Sequence, residues 1–303
     1  MHMEGYERKR TKESNEDDAS WRGFMSELEM LSRIGSPSRY EGGVRNYLHR
    51  RLEELGISSK EDAKGNLLVE FDGPEGAVLL SAHMDKIGKG SKIRMEGERV
   101  IGRLDDTFGL SLIMEILREG MRPSVLFTVE EESIREVAGV DGKSMYHERP
   151  LKDGIYNAGA RFAIKEIHDG VIKKPGLMIF IDTSAHNKIG KGALVSKSSL
   201  DFPFPAESMK SIAKILHNAH VSVRYWDAGA TDAIEASFLS EQPIALVQVA
   251  TEHYHTDHEI VDKKDIVDAI EVVKTLIRNR HAVVMQPGTP EHARKENPII
   301  LDK

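Results

Sequence analysis

Short apolar runs of strand length recur through this chain, and amphipathic stretches with helical spacing alternate with them. The runs are NLLVEF at 66–71, AVLLSAH at 77–83, SVLFTV at 124–129, LMIFID at 177–182 and IALVQVA at 244–250, each suited to a buried strand. From Trp21 onward Phe24, Leu28 and Leu31 share one helical face until Gly35 and Pro37 break it. Val44, Tyr47, Leu48, Leu52 and Leu55 form a second stripe that must face a core, with Gly56 just past its end. Further helical pieces lie at 109–119, 207–219 and 264–279, the last marked by Ile266, Ile270, Val273 and Ile277. This alternation predicts an α/β fold, a three-layer α/β/α sandwich around a mixed, mostly parallel central sheet.

Four of the runs lead straight into a histidine or a carboxylate, in SAHMD, TVEEE, FIDTS and ATEHYH. Open α/β sheets bind ligands beyond the carboxyl ends of their strands, so these residues can converge despite their distance in sequence. The chain has no cysteine, which leaves nitrogen and oxygen as the only strong ligands for a metal.

Each candidate has an ordinary reading beside the functional one. A lone histidine after a strand is usually a satisfied buried side chain. Asp85, however, lies two residues past His83, on the same side of an extended chain, and can accept the other imidazole N–H, as carboxylates do for metal-bound histidines. Asp105 and Asp106 stand before an apolar helix, where an aspartate caps. A carboxylate can also bridge two cations about 3.5–4 Å apart, so the bridge is assigned to Asp105, and Asp106 is left to capping or to support behind the ligands. Glu130, Glu131 and Glu132 would be a solvated run anywhere else. At the end of a core strand they repel one another unless cations or protons compensate. One can then bind metal while its neighbour takes a proton from water. Asp182 ends the most apolar strand, where an unpartnered carboxylate is costly, and HYHTDHE offers His253, His255 and His258.

The formal net charge of -7, with a sequence pI near 6.0, supplies no positive field for nucleic acid or anionic lipid. No apolar run approaches the roughly 20 residues that span a bilayer, and the N-terminus lacks the apolar core of a secretory signal. The expectation is a cytoplasmic protein with neither membrane nor nucleic-acid partners. Residues 1–18 are polar and aperiodic and read as a disordered or cloning-derived arm. Residues 19–280 read as a single catalytic domain with an inserted excursion at about 139–175, followed by a polar tail at 281–303.

Taken in order, SPSRYEGGVRNYL, DAKGNLLVEF, SAHMDKIG, GRLDDTFG, FTVEEES, MIFIDTS, IGKGALV, GATDA and YHTDHEIVDKKDI resemble a known family. It is that of the cocatalytic-metal aminopeptidases, which includes the glutamyl, deblocking and tetrahedral-assembly enzymes. The resemblance spans about residues 30 to 278 and implies a phosphorylase/hydrolase-like zinc exopeptidase fold with two divalent metal ions, zinc above all, cobalt and manganese also fitting. It implies His83 and Asp182 on one ion, Glu132 and His255 on the other, and Asp105 bridging. Asp85 would orient His83, and Glu131 would be the general base. His255 is preferred to His253 and His258 because the family pattern places a glutamate four residues after this ligand, where Glu259 stands. Gly229, Thr231 and Asp232 match a loop near the substrate.

The chain departs from the family in three ways. Only about 20 residues separate His83 from Asp105, where the family usually carries an inserted cap domain. Ser133 and Ile134 replace the usual aliphatic residue and glycine, and the stretch from Glu132 to Asp182 is longer than the pattern. The resemblance implies an aminopeptidase, a peptide or amino-acid-derivative substrate and a homo-oligomer. An N-acyl amino acid deacylase or carboxypeptidase would use the same centre, and a catalytically silent binding or scaffold protein is the non-enzymatic alternative. An aminopeptidase needs an acidic group near the substrate ammonium, and a carboxypeptidase needs a cation, for which Lys86, Arg135 and Lys191 lie near the motifs.

Overall fold

The computed structural model describes residues 19–132, 137–138, 144–145, 157–185, 188–199, 202–229, 231–239 and 242–283. The arm over 1–18, most of the predicted excursion before Asn157, and residues 284–303 lie outside the described residues. Helices α1 (19–33) and α2 (Gly42–Glu54) precede strands β1 (Lys60–Glu61) and β2 (Leu67–Val69), the short α3 (Gly73–Gly76) and β3 (Val78–His83). Then come β4 (Arg94–Glu96), β5 (Arg99–Gly102), α4 (Thr107–Arg118), β6 (Ser124–Thr128), β7 (Val137–Ala138), β8 (Ser144–Met145) and α5 (Ala158–His168). The chain continues through β9 (Leu177–Ser184), β10 (Ala193–Ser199), β11 (Phe202–Pro203), α6 (Ala206–Asn218), β12 (Val223–Ala228), α7 (Ala233–Leu239), β13 (Ile244–Ala250), β14 (Glu259–Asp262) and α8 (Lys263–Arg278).

The main sheet runs β1-β2-β6-β3-β9-β13-β10, and β11 and β12 both pair with β10. Its four central strands, β6, β3, β9 and β13, are parallel, with antiparallel β2 and β10 on either side. Side chains alternate between two apolar layers, as the period of a strand requires. Val78, Leu80, Ala82, Ile179, Ile181, Val247 and Val249 face α1, α2, α4, α6 and α8. Leu79, Met178, Phe180 and Leu246 face the thinner layer of α5 and α7. Burial on both faces explains why these strands read as unbroken apolar runs. The three-layer mixed sandwich is thus the observed architecture.

Two stretches differ from the sequence reading. Residues 157–175 do not form an excursion: α5 packs Ala163, Ile164 and Ile167 under the sheet as part of the sandwich. The tail begins later than 281, because Val283 still packs against the main core. Between His83 and Asp105 the chain makes the β4–β5 hairpin, which joins β14 in a separate three-stranded sheet.

Register delivers the site. Ser81 pairs with Phe180, so two residues further on His83 and Asp182 stand side by side on the face turned to α5 and α7. Thr128 pairs with His83 from the other side.

Candidate metal centre

At the carboxyl ends of these strands the five predicted ligands come together. His83 Nε2 lies 3.3 Å from Asp105 Oδ1 and 3.7 Å from Asp182 Oδ1. His255 Nε2 lies 3.4 Å from Asp105 Oδ2 and 3.5 Å from Glu132 Oε1. Asp105 therefore stands between two imidazoles, one oxygen toward each. Donor atoms of His83, Asp105 and Asp182, and of Asp105, Glu132 and His255, form groups within 4.8 Å that could each hold a metal ion, and His83, Glu131 and Glu132 form a third.

These residues fit cations better than they fit one another. Both oxygens of Asp105, Oε1 of Glu132 and Nε2 of His255 are buried without a hydrogen-bond partner. Buried polar atoms are rarely left so in a native protein unless an ion or water completes them. Burial raises the Glu132 carboxyl far above its usual range, and Asp105 and Glu131 push it further. Glu131 is raised in the same way by burial, against the pull of His83 and with Asp182 and Asp232 adding to the rise. Asp182 is pushed up to about 6 by burial, opposed by His83. Burial would raise Asp105 too, but His255 and His83 outweigh it and hold the carboxylate ionised.

The glutamate run is gripped from both sides. Its amides are held by acids: Glu41 Oε1 accepts from Glu130 N (3.1 Å), Asp85 Oδ1 from Glu131 N (3.0 Å) and Asp85 Oδ2 from Glu132 N (3.0 Å). Its carbonyls are held by the start of α5, where Gly159 N, Ala158 N and Asn157 N donate to Val129 O, Glu130 O and Glu131 O. Glu130 is left-handed (φ 54°) and turns its side chain out to Lys64 at 2.8 Å. That ion pair takes one of the three carboxylates out of the cluster and relieves the repulsion expected from the run.

Gly159 makes the grip possible, since a Cβ there would sit 2.5 Å from Asn66 Oδ1, 2.6 Å from Val129 N and closer still to Val129 O. Gly159→Ala should cost about 1–3 kcal/mol of stability, as overpacking typically does, and displace Glu131 and Glu132. Urea unfolding checks this, and a wild-type midpoint would contradict it.

Asp85 faces the His83 ring with two of its oxygens. His83 Nδ1 is 2.9 Å from the Asp85 carbonyl oxygen and 3.5 Å from its carboxylate, so the main chain is the nearer partner. The carboxylate itself takes the Glu131 and Glu132 amides and the Ser38 hydroxyl (2.6 Å). Asp106 caps α4 by accepting from Gly109 N at 2.8 Å.

Of Gly229, Thr231 and Asp232, Asp232 is the one whose charge acts on the cluster, adding to the rise of Glu131. Thr231 Oγ1 lies 3.3 Å from Ser199 Oγ, which donates to Gly229 O at 2.9 Å. Thr128 Oγ1 donates to Asp232 Oδ2, while Asp232 Oδ1 is buried without a partner.

Residues that sequence reasoning passed over include Ser38, Glu41 and Tyr254. The Tyr254 ring stacks on His255 with centroids 3.8 Å apart. Burial, with the charges of Asp105, Glu132, Asp182 and Glu131, keeps its phenol protonated and so a hydrogen-bond donor.

No family model matches the chain. A ureidoglycolate hydrolase of Oryza sativa subsp. japonica is 26% identical over 180 residues, 52% of this chain and 35% of that protein. A LysW-lysine/LysW-ornithine hydrolase of Pyrococcus furiosus is 33% identical over 76 residues, 25% of this chain and 23% of that protein. The chain thus matches only about a quarter to a third of these relatives' length. Among solved structures, a TET aminopeptidase from a marine sediment archaeon of the Thaumarchaeota superposes with a TM-score of 0.66 at 14% identity, covering 89% of this chain and 99% of that one. The TET1 peptidase of Pyrococcus horikoshii, which can assemble into a tetrahedron or a large octahedral shell, gives 0.64 at 16% identity, covering 84% and 99%. At these identities the shared property is the fold, one used by aminopeptidases. Among the described residues no helix is long and apolar enough to cross a membrane.

Proposed function

We propose that this chain is a metal-dependent hydrolase that removes residues from the N-terminus of peptides, with the chain from residue 19 through Val283 as one catalytic domain. The observation that carries this reading is the convergence of His83, Asp105, Glu132, Asp182 and His255 with buried donor atoms left unsatisfied. His83 and Asp182 would hold one divalent ion, Glu132 and His255 the other, and Asp105 both. Zinc suits mixed histidine and carboxylate ligation, as do cobalt and manganese. Ions held there supply Lewis acidity and acidify water.

The remaining chemistry belongs to the side chains. Glu131, beside the ligands but not needed as one, takes a proton from the attacking water and returns it to the leaving amine. Its backbone is fixed by Asp85 and α5, so its carboxylate is presented from a rigid segment. The Tyr254 phenol, held protonated within the field of the same carboxylates, would be a candidate donor to the oxygen on which charge develops.

Asp232 favours an amine over a carboxylate at the substrate's anchored end. Its free Oδ1 is a buried acceptor, which an ammonium would satisfy with a charge-assisted bond. Of the cations that a carboxypeptidase would use, Lys86 is buried with its Nζ donating to Leu31 O (2.7 Å). Lys191 is exposed, and Arg135 lies outside the described residues. Asp232→Asn should raise KM for peptides with a free N-terminus by about 10-fold or more, with metal content unchanged. Steady-state kinetics on the metal-loaded protein measure it, and an unmoved KM would remove Asp232 from substrate binding.

The function itself is tested by offering the metal-loaded chain matched peptides that are free, acetylated or C-terminally blocked. Cleavage that requires the free amine is expected. Cleavage of acetylated substrates alone would point to a deacylase, and no cleavage together with no bound metal would point to a scaffold.

A further inference from the structure

Glu259 opens β14 and is fully buried. Both of its oxygens are taken by main-chain amides of the metal centre. Oε2 accepts from Leu104 N at 2.5 Å and Asp105 N at 3.1 Å, and Oε1 accepts from His255 N at 2.8 Å. One side chain therefore ties together two loops far apart in sequence, each of which supplies a ligand to the same proposed ion pair. The ladder supports the tie, because Glu259 pairs with Gly102, three residues before Asp105. His255 itself stands in the left-handed region (φ 63°), uncommon for a residue other than glycine.

We propose that Glu259 is a positioning residue that sets the distance between the Asp105 and His255 donor atoms, and with it the affinity of the centre for divalent ions. The inference rests on the metal-centre reading given above. A carboxylate suits the task because it offers an acceptor oxygen to each loop, whereas a glutamine offers one oxygen and an NH2 group that would face an amide N–H. Bonds from amides to a carboxylate are also stronger than neutral ones, which keeps the loops in place before an ion arrives.

The test compares wild type with Glu259→Gln and Glu259→Asp. Zinc affinity is measured by competition with a chromophoric chelator, and folding of the metal-free proteins by circular dichroism. Both variants should fold yet bind zinc about 10- to 100-fold more weakly, the range seen when groups behind metal ligands are changed. Saturating zinc should restore most of kcat, and KM should not move. Variants that lose thermal stability but bind zinc as tightly as wild type would overturn the proposal and leave the metal centre standing. A wild type that binds no divalent ion would sink the metal-centre reading, and this role with it.

Amide hydrogen exchange on wild type gives a measurement independent of any variant's folding. The Leu104, Asp105 and His255 amides should be protected together in the metal-free protein. Fast exchange at these three positions would also overturn the assignment.

Discussion

Glu131→Gln should retain the fold and both metal ions and yet lose about 10²- to 10⁴-fold in kcat, the usual contribution of a positioned general base. Glutamine matches glutamate in shape, and the amide of residue 131 would still be held by Asp85. The five ligand positions are untouched. What disappears is the capacity to carry a proton between water and the leaving amine. Burial already raises the Glu131 carboxyl well above its usual range, with His83 opposing and Asp182 and Asp232 adding to the rise, so proton uptake there is easy. Turnover and metal content measured on the same preparation separate a lost base from a lost ion. Near-normal turnover would show that Glu131 is not the base, and loss of metal would show that it is a ligand.

The second large effect concerns the stability of the metal-free protein as pH changes. Burial pushes Asp182 up to about 6, and pushes Asp232, Glu41 and Glu259 up to about 7. Burial works against the His83 imidazolium, but Glu131, Asp105 and Asp182 raise it well above its ordinary value. All of these groups hold protons in the folded state that the unfolded chain has released. The contribution of the acids is therefore fully present below their unfolded values, near pH 4, and is lost as pH rises through about 6 to 7, while that of His83 is lost only above its ordinary value. Asp105 has the opposite sign, since its depressed carboxyl contributes above the unfolded value and is lost only in strong acid.

Chelator-treated protein should accordingly lose on the order of 10 °C in Tm between pH 5 and pH 8. Zinc held by His83 and Asp182 would compete with their protons, so its stabilising effect should grow over the same interval. Differential scanning calorimetry with and without zinc checks both halves. A Tm independent of pH and of zinc would mean that the carboxylates are not waiting for cations.

How far the sequence foretold this structure follows from the range of each signal. The apolar runs ending in His83, Glu132 and Asp182 were legible because a buried parallel strand has to be apolar until it reaches the site, where it changes character abruptly. The Asp106 cap was legible because capping is local. Strands β10 and β12 gave no such signal. The first carries Ser196, Ser198 and Ser199, with Ser196 hydrogen-bonded to Gln248, and the second is partly exposed beyond it, pairing among the described residues only with β10.

The carboxylates that hold main chain were the hardest to foresee. Glu41 grips residue 130, Asp85 grips 131 and 132, and Glu259 grips 104 and 105, all through contacts with no fixed sequence spacing; the four-residue step from His255 to Glu259 was visible, but not the bond it makes. The role of α5 was hidden for the same reason: nothing near Ala158 announces that its amides meet carbonyls at the end of β6. A site assembled from strand ends is thus read more easily than the frame that keeps it in register.

The central claim is that five side chains form one cocatalytic metal centre, and anomalous diffraction tests it most directly. Data collected on either side of the zinc absorption edge from zinc-grown crystals should show two neighbouring peaks. One is expected among His83, Asp105 and Asp182, the other among Asp105, Glu132 and His255. Absence of both peaks, or zinc bound only at other histidines such as His253 and His258, would contradict it.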